Sequence, residues 1–343
     1  MIETLSIERF KSIKSLSIPC RKVNVFIGAP DTGKTNVLEA LYFLSRLGWG
    51  LPLDTSLRLR PELGFDPLFY RQFFDRPFQI SLHLGSPPAA HQAQQVTVNA
   101  AIAGGPGRAL EISAPPYESL TVNFGGAWHI TPLPLPLPPL DWIRLYSYRT
   151  SEDWQYNSGY HLGTKAVTPP HGHNLLYIAR HNGRVYEFLK DIVAGLNWKL
   201  RFDQAQHTFR LSEVRQDEIL DYNLDLLSDS LKRQFFYGAI LHSSEEVTLV
   251  FDEPDVFAFP PYPKALGEMI GADRSNQFFL TTHNPYFLTG LVEKTPAEHL
   301  ALFVCYRDKE GGTGAKLLSQ EDIAKIVELG ASVFFNLDDF IGS

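Results

Sequence analysis

Apolar and polar positions change rhythm several times along the chain, and each rhythm predicts a different element. Ile2, Leu5 and Ile7, then Leu16 and Ile18, alternate with polar residues as half-buried strands do, while Val23-Asn24-Val25-Phe26-Ile27 is a nearly continuous apolar run that predicts a buried strand ending at Gly28. From Lys34 the period lengthens. Val37, Leu38, Leu41, Leu44 and Leu47 fall on one helical face until Gly48 stops it, so the chain opens β-β-β-loop-helix.

Between about 76 and 125 the alternating segments are short (Phe78–Leu82, Val96–Val98, Leu120–Val122), with Gly/Pro/Ala-rich turns such as Gly104–Gly107 between them. They predict antiparallel strands in a β lobe inserted into the core. Pro132–Pro139, alternating proline with leucine, can be neither helix nor central strand and predicts polyproline II, as a stiff connector or a docking motif. Residues 173 to 196 carry helical spacing for two short helices, and a hairpin fits Lys199 to Leu211. The final third alternates: a helix from Ser228, the strand Val247–Phe251, a helix after Tyr262, the strand Gln277–Thr281, a helix from Pro285 and the strand Leu300–Val304. That order predicts βαβ units and a parallel sheet. No fixed-period repeat appears, and no heptad pattern lasts long enough for a coiled coil.

Composition narrows the partners more than the fold. With 343 residues, 44% of them hydrophobic, the chain is long enough for one large domain or two modest ones. No apolar run reaches the roughly 18 residues of a membrane-spanning helix, and Met1 leads straight into a strand-like stretch, so neither membrane nor signal peptide is expected. Only Cys20 and Cys305 are present, far apart, which gives no disulfide framework and makes the cytoplasm the expected compartment. A formal charge of −7 provides no global attraction to nucleic acid and leaves that to a local basic patch.

The chemistry begins at Gly28-Ala29-Pro30-Asp31-Thr32-Gly33-Lys34-Thr35, a full GxxxxGK[ST] phosphate-binding loop with an apolar strand before it and a helix after it. Gly28 and Gly33 let backbone N–H groups and the helix N-terminus face phosphate oxygens. Lys34 would reach the β- and γ-phosphates and the Thr35 hydroxyl would ligate Mg2+. A second signal is Leu249-Val250-Phe251-Asp252-Glu253, an apolar strand ending in two carboxylates: Asp252 would hold Mg2+ and Glu253 would polarise the attacking water. A third is Phe278–Thr282 running into His283, with an Asn284-Pro285 helix start. His283 can hydrogen-bond a γ-phosphate, or be an ordinary histidine at a strand end.

In this order the motifs resemble the ABC-type ATPases of the SMC and RecF class. Ile7-Glu8-Arg9-Phe10-Lys11-Ser12-Ile13 and Thr35-Asn36-Val37-Leu38-Glu39-Ala40-Leu41 look like that class too, and the likeness is greatest to stand-alone bacterial and archaeal AAA-labelled ATPases without a long coiled coil, including those beside effectors in anti-phage systems. It covers about 1–45 and 220–340. It implies an α/β P-loop NTPase, ABC/RecF-like, with a parallel-sheet core, an inserted antiparallel β lobe and a helical lobe. Residues 1–50 and 226–343 would form the ATPase core, 51–145 the β lobe with its Pro-rich connector, and 146–225 the helical lobe.

The resemblance also implies site residues. Gly28, Asp31, Thr32, Gly33, Lys34, Thr35 and Asn36 would hold ATP; Arg9, Lys11 and Ser12 would lie near its α-phosphate or adenine, or form an exposed basic turn. Ser228, with Asp229 and Ser230, stands where the class has its signature motif, and would bind the γ-phosphate held by a second copy or simply cap its helix. The usual Ser-Gly-Gly is Ser-Asp-Ser here, and Pro30-Asp31 replaces Asn-Gly in the loop. The glutamine linking nucleotide to the β lobe would be Gln72 or Gln79. His161, His171, His173 and His181 lack Cys and acidic partners at ligand spacing and are not expected to bind zinc. The segment after His283 is too short for the nuclease domain of OLD-type relatives. The function expected is an ATP-binding and ATP-hydrolysing switch that forms an ATP-dependent homodimer and acts on an effector protein or DNA. A non-hydrolysing ATP-dependent scaffold and a RecF-like DNA-binding factor are the alternatives.

Overall fold

A computed structural model describes residues 1–49, 57, 64–85, 95–103, 109–115, 119–123, 140–150, 154, 164–215, 218–256, 258–259 and 261–342. In chain order the elements are β1 (Ile2–Phe10), β2 (Ile13–Pro19), β3 (Val23–Gly28), α1 (Lys34–Gly48), β4 (Phe78–Leu84), β5 (Gln95–Ala103), β6 (Ala109–Ser113), β7 (Leu120–Asn123), β8 (Ile143–Tyr146), α2 (Leu175–His181), α3 (Gly183–Ala194), β9 (Lys199–Asp203), β10 (Thr208–Arg215), β11 (Glu218–Asn223), α4 (Asp229–Ser243), β12 (Thr248–Asp252), α5 (Pro261–Ala272), β13 (Gln277–Thr281), α6 (Pro285–Lys294), β14 (Leu300–Arg307), β15 (Thr313–Leu317), α7 (Gln320–Leu329) and α8 (Asp338–Ile341).

Two six-stranded sheets dominate. One has the order β15-β14-β3-β13-β12-β8, parallel throughout except for β15 at one edge. Every residue of β3 and β13 is buried, as expected for strands covered on both faces. The other, in the order β2-β1-β4-β5-β6-β7, is antiparallel. β1 and β4 alternate buried and accessible positions, so one face is packed and the other is wet.

α1 packs between these sheets, against β3, β8, β12 and β13 on one side and β1 on the other. The sequence predicts a one-faced amphipathic helix; the structure buries Glu39, Ser45 and Arg46 as well as its apolar stripe. The expected inserted antiparallel strands are present, and β4 pairs with β1 (Ile7 opposite Ile80), so that they continue the opening hairpin. β8 lies beside β12 in the parallel sheet, which assigns residues 143–146 to the core. The hairpin at Lys199 gains a third strand, giving the small sheet β11-β10-β9.

Gln277 fastens the two large sheets. Its side-chain nitrogen donates to the carbonyls of Ile2 (2.7 Å) and Arg21 (2.9 Å), and its oxygen accepts from Ile2 N at 2.9 Å. Burying a primary amide there costs little because its hydrogen-bonding capacity is met. The Pro132–Pro139 run and the Gly104–Gly107 turn lie outside the described residues. Among the described residues no helix is long and apolar enough to cross a membrane.

Candidate functional site

The phosphate-loop sequence wraps at the end of β3 as two glycines require. A Cβ on Gly28 would sit 2.5 Å from the carbonyl oxygen of Cys305, and one on Gly33, at φ 91°, would collide with the Thr313 hydroxyl. Only glycine fits either position. Thr32 closes the turn by donating to Ala29 O at 2.8 Å, and Arg307 Nε donates to Asp31 O at 2.9 Å. Asp31 itself is exposed at φ 59°, on the outer bend of the loop. α1 then starts with no side-chain cap and no acid in its first turn, leaving the positive end of the helix open. Lys34 is 5% exposed and donates to Gly28 O at 3.0 Å and Ala29 O at 2.8 Å. Burial lowers its pKa, against the opposing pull of Cys305, Glu253, Asp252 and Asp31.

The carboxylates arrive from β12, next door but one. Asp252 Oδ1 accepts from Thr35 Oγ1 at 3.3 Å and from Thr281 Oγ1. Thr281 in turn accepts from the backbone N of Glu253 at 3.0 Å. Glu253 stands at φ 46°, a left-handed conformation that a non-glycine residue adopts only when its surroundings hold it there. Its Oε1 lies 3.4 Å from His283 Nε2. Burial, then the charge of Lys34, lowers the pKa of His283, with Asp252 opposing, so the ring is neutral at neutral pH and faces Glu253 as an imidazole.

One step further along, Thr282 Oγ1 donates to Asp255 Oδ2 at 3.0 Å and accepts from Asn284 N at 2.9 Å, and Asn284 caps α6 through Tyr286 N and Phe287 N. Asp255 is 4% exposed, and burial pushes its pKa up to about 7. Two threonines at the end of β13 thus hold the Asp252 and Asp255 carboxylates and the backbone of Glu253 and Asn284. Nothing in the hydropathy pattern marks Thr281, Thr282 or Asp255 for this role; the only signal was their place beside His283 and Glu253.

The structure brings most of the expected residues together. Asn36 Nδ2 donates to Ser12 Oγ at 2.5 Å, and Ser12 shares a 2.6 Å hydroxyl contact with Thr313 beside Gly33. Arg9 and Lys11 are engaged elsewhere. Arg9 pairs with Asp75 at 3.1 Å; Lys11 bonds Leu57 O and forms an ion pair with Glu39 of α1 at 2.8 Å, both partners almost fully buried. Lys11 therefore anchors the helix instead of facing phosphate, since separating a buried pair would leave the Glu39 charge buried without a partner. Gln79 donates to Asn99 at 2.7 Å inside the antiparallel sheet, whereas Gln72 is exposed at φ 59° in a turn whose Arg71 N bonds Lys11 O. Ser228 caps α4, accepting from Leu231 N at 3.4 Å; Asp229 is exposed in its first turn, and Ser230 Oγ accepts from Phe259 N at 3.2 Å. His171 and His181 donate through Nδ1 to the carbonyls of Ser147 and Tyr177, and His161 lies outside the described residues.

Residues 1–55 match the AAA ATPase domain family. The backbone as a whole is similar to an SMC head bound to the C-terminal winged-helix domain of ScpA, at 13% identity and TM-score 0.60, covering 94% of this chain and 99% of that one. The fold is that of an SMC-type ATPase head. A Pyrococcus furiosus SMC head with an extended coiled coil, bound to the C-terminal domain of ScpA, agrees at 12% identity and TM-score 0.56, covering 95% and 98%. No curated protein matches the chain in sequence. The SMC-head likeness bears out the ABC-type α/β P-loop class expected from the motifs, with β3, β12 and β13 delivering the loop, the carboxylates and the histidine to one edge of the sheet.

Proposed function

We propose that this SMC-type head binds Mg-ATP at the carboxyl edge of its parallel sheet and hydrolyses it, two copies closing head to tail around the nucleotide to act on a partner. The observation that carries this reading is the chain of contacts joining Thr35 to Asp252 and Asp252 through Thr281 to Glu253, with His283 against Glu253. The donor set fits the ligand. Two glycines that exclude any side chain, an uncapped helix start and a buried ammonium suit a polyphosphate, and a hydroxyl beside a carboxylate suits a hard divalent cation. Bound Mg2+ would neutralise charge on the transferring phosphoryl group.

In this reading Gly28, Thr32, Gly33 and Lys34 cradle the phosphates while Thr35 and Asp252 hold the metal. Glu253 accepts the proton of the attacking water. His283, a neutral imidazole, orients Glu253 through its single Nε2–H, which turns to the γ-phosphate once nucleotide is bound. Ser228, exposed at the start of α4, is offered to the nucleotide of the second copy. The SMC heads of similar fold are each bound to ScpA, which supports a protein partner here, an effector of the kind found in anti-phage systems, in the cytoplasm; DNA is the other candidate.

The test is mass in solution and phosphate release, measured together for wild type and Glu253→Gln with and without Mg-ATP. Loss of a positioned base lowers turnover roughly 10²–10⁴-fold. The variant should accumulate as a dimer with ATP while wild type releases phosphate. Equal turnover in both, or a mass that ignores ATP, would sink the proposal.

A further inference from the structure

A second basic cavity lies away from this edge. It has a volume of about 660 Å³ and opens between the start of β8, the end of α2, the start of α3 and the end of α4. Ser243 and Glu245, at the end of α4, line it. The 15 residues of that helix place it about 22 Å, at 1.5 Å per residue, from the Ser228 end. Arg144 also lies opposite Leu249 of the parallel strand β12, three residues before Asp252, so the cavity sits toward the amino edge of the sheet, away from the nucleotide corner at its carboxyl edge.

Its walls are cationic. Arg144, Lys165 and Arg184 face it with the imidazole of His181, against the single carboxylate of Glu245. Glu245 pairs with Arg184 at 2.6 Å; Arg144 stacks 5.6 Å over the Trp49 ring, and among the described residues neither Arg144 nor Lys165 has an ion-pair partner. Two formal positive charges are left over in a concave site. α3 starts beside the same space with its first N–H groups already held by Asn182, which accepts from Arg184 N and Val185 N, so the charge of the site comes from its side chains; a Cβ on Gly183 would meet nothing within 4 Å. A flat surface completes it, with Tyr177 and His181 stacked at 4.2 Å between ring centroids.

We propose that this cavity is a second ligand site, taking a mononucleotide: its phosphate between Arg144, Lys165 and Arg184, its base against the Tyr177 and His181 rings. Guanidinium groups hold phosphate monoesters through paired N–H donors, and a lysine ammonium adds a point charge. The volume falls in the range of small-molecule pockets, and the aromatic pair gives the ring a stacking partner that inorganic phosphate would not use.

The probe is AMP, titrated calorimetrically into the full chain carrying Lys34→Ala, so that the phosphate loop cannot account for the heat. Binding should persist there, weaken at least tenfold on adding Lys165→Ala and Arg184→Ala, and tighten severalfold in Glu245→Gln. All three side chains are largely exposed, so these variants should fold, and equal melting temperatures would establish that. No AMP heat in the Lys34→Ala protein, or AMP affinity unmoved by the double charge removal, overturns the proposal. Binding of inorganic phosphate as tight as that of AMP overturns the assignment of a nucleotide.

Discussion

The two large sheets share α1 between them and use it in opposite ways. The antiparallel sheet holds α1 through aromatic packing: Phe78 of β4 meets Phe10, Phe43 and Phe69 edge-on, with ring centroids 5.2 to 5.3 Å apart. The parallel sheet meets the start of the same helix and the loop before it with polar groups, the Asp252 carboxylate on Thr35 and the Cys305 backbone carbonyl against Gly28. One sheet fixes where the helix lies and the other fixes what its first turn faces. Strands buried on both faces can present polar groups only at their ends, so the chemistry concentrates at one edge; a sheet with one wet face has no such constraint, and its polar residues, such as Gln79 and Asn99, bond one another across neighbouring strands.

Crossing two substitutions would break this division most directly. Lys34→Ala removes the buried ammonium at the loop and should lower phosphate release on the order of 10²–10³-fold, the usual cost of losing a preorganised charge stabiliser. Phe78→Ala removes a fully buried ring and should cost about 3–5 kcal/mol of folding stability by denaturant titration. Below its melting temperature it should keep most of its turnover. If Phe78→Ala assayed in its folded range were as inactive as Lys34→Ala, the sheets would not have separate roles.

The same contrast explains what the sequence could show. β3, β12 and β13 are continuous apolar runs, and a run that ends in glycine, in paired acids or in histidine announces both its burial and the chemistry at its end. The pairing of β1 with β4 joins residues more than seventy positions apart, and nothing in either strand's alternation names its partner. Alternation gives a face, never a neighbour. The basic residues show the limit from the other side. Lys11 and Arg9 look alike in a polar turn, yet Lys11 is buried on Glu39 and Arg9 reaches an exposed Asp75, because helix α1 passes beneath one and not the other. Thr281 and Thr282 were within the stretch that pointed to His283, but a threonine's hydroxyl declares its partner only once a second strand is set beside it.

Asp255 sharpens the comparison within the polar edge. Its carboxyl is buried with a folded-state pKa near 7, above its ordinary value of 3.8. Below about pH 4 both folded and unfolded chains carry it protonated and folding bears no ionisation cost. As pH rises from 4 to 7 the unfolded chain releases the proton first, and stability falls by about 1.4 kcal/mol per pH unit, on the order of 3–4 kcal/mol in all, then levels off. Asp255→Asn keeps an acceptor for Thr282 and has nothing to ionise. It should flatten this part of the stability–pH curve and be the more stable protein at pH 8. Parallel curves for the two proteins between pH 4 and 8 would mean that Asp255 is ionised in the folded state at no cost.

The smallest effect concerns the two helix starts at the same edge. α1 begins without a cap, and α4 begins with Ser228 accepting from Leu231 N. An uncapped start is available to a ligand, whereas a capped one is already satisfied, so Ser228 can serve a phosphate only if its hydroxyl also donates outward. Ser228→Ala should cost about 1 kcal/mol by loss of the cap, and Ser228→Asn should restore it, since asparagine caps as well as serine. A serine that only caps would leave the asparagine variant with wild-type phosphate release and an unchanged response of mass to ATP. A serine that also reaches the other copy's nucleotide would leave the asparagine variant stable but slow, because the amide carries its donor about one bond further out than the hydroxyl and cannot take the same place between two facing backbones. Stability restored without turnover is the result expected here, and it would separate the helix start that holds itself together from the one that waits for phosphate.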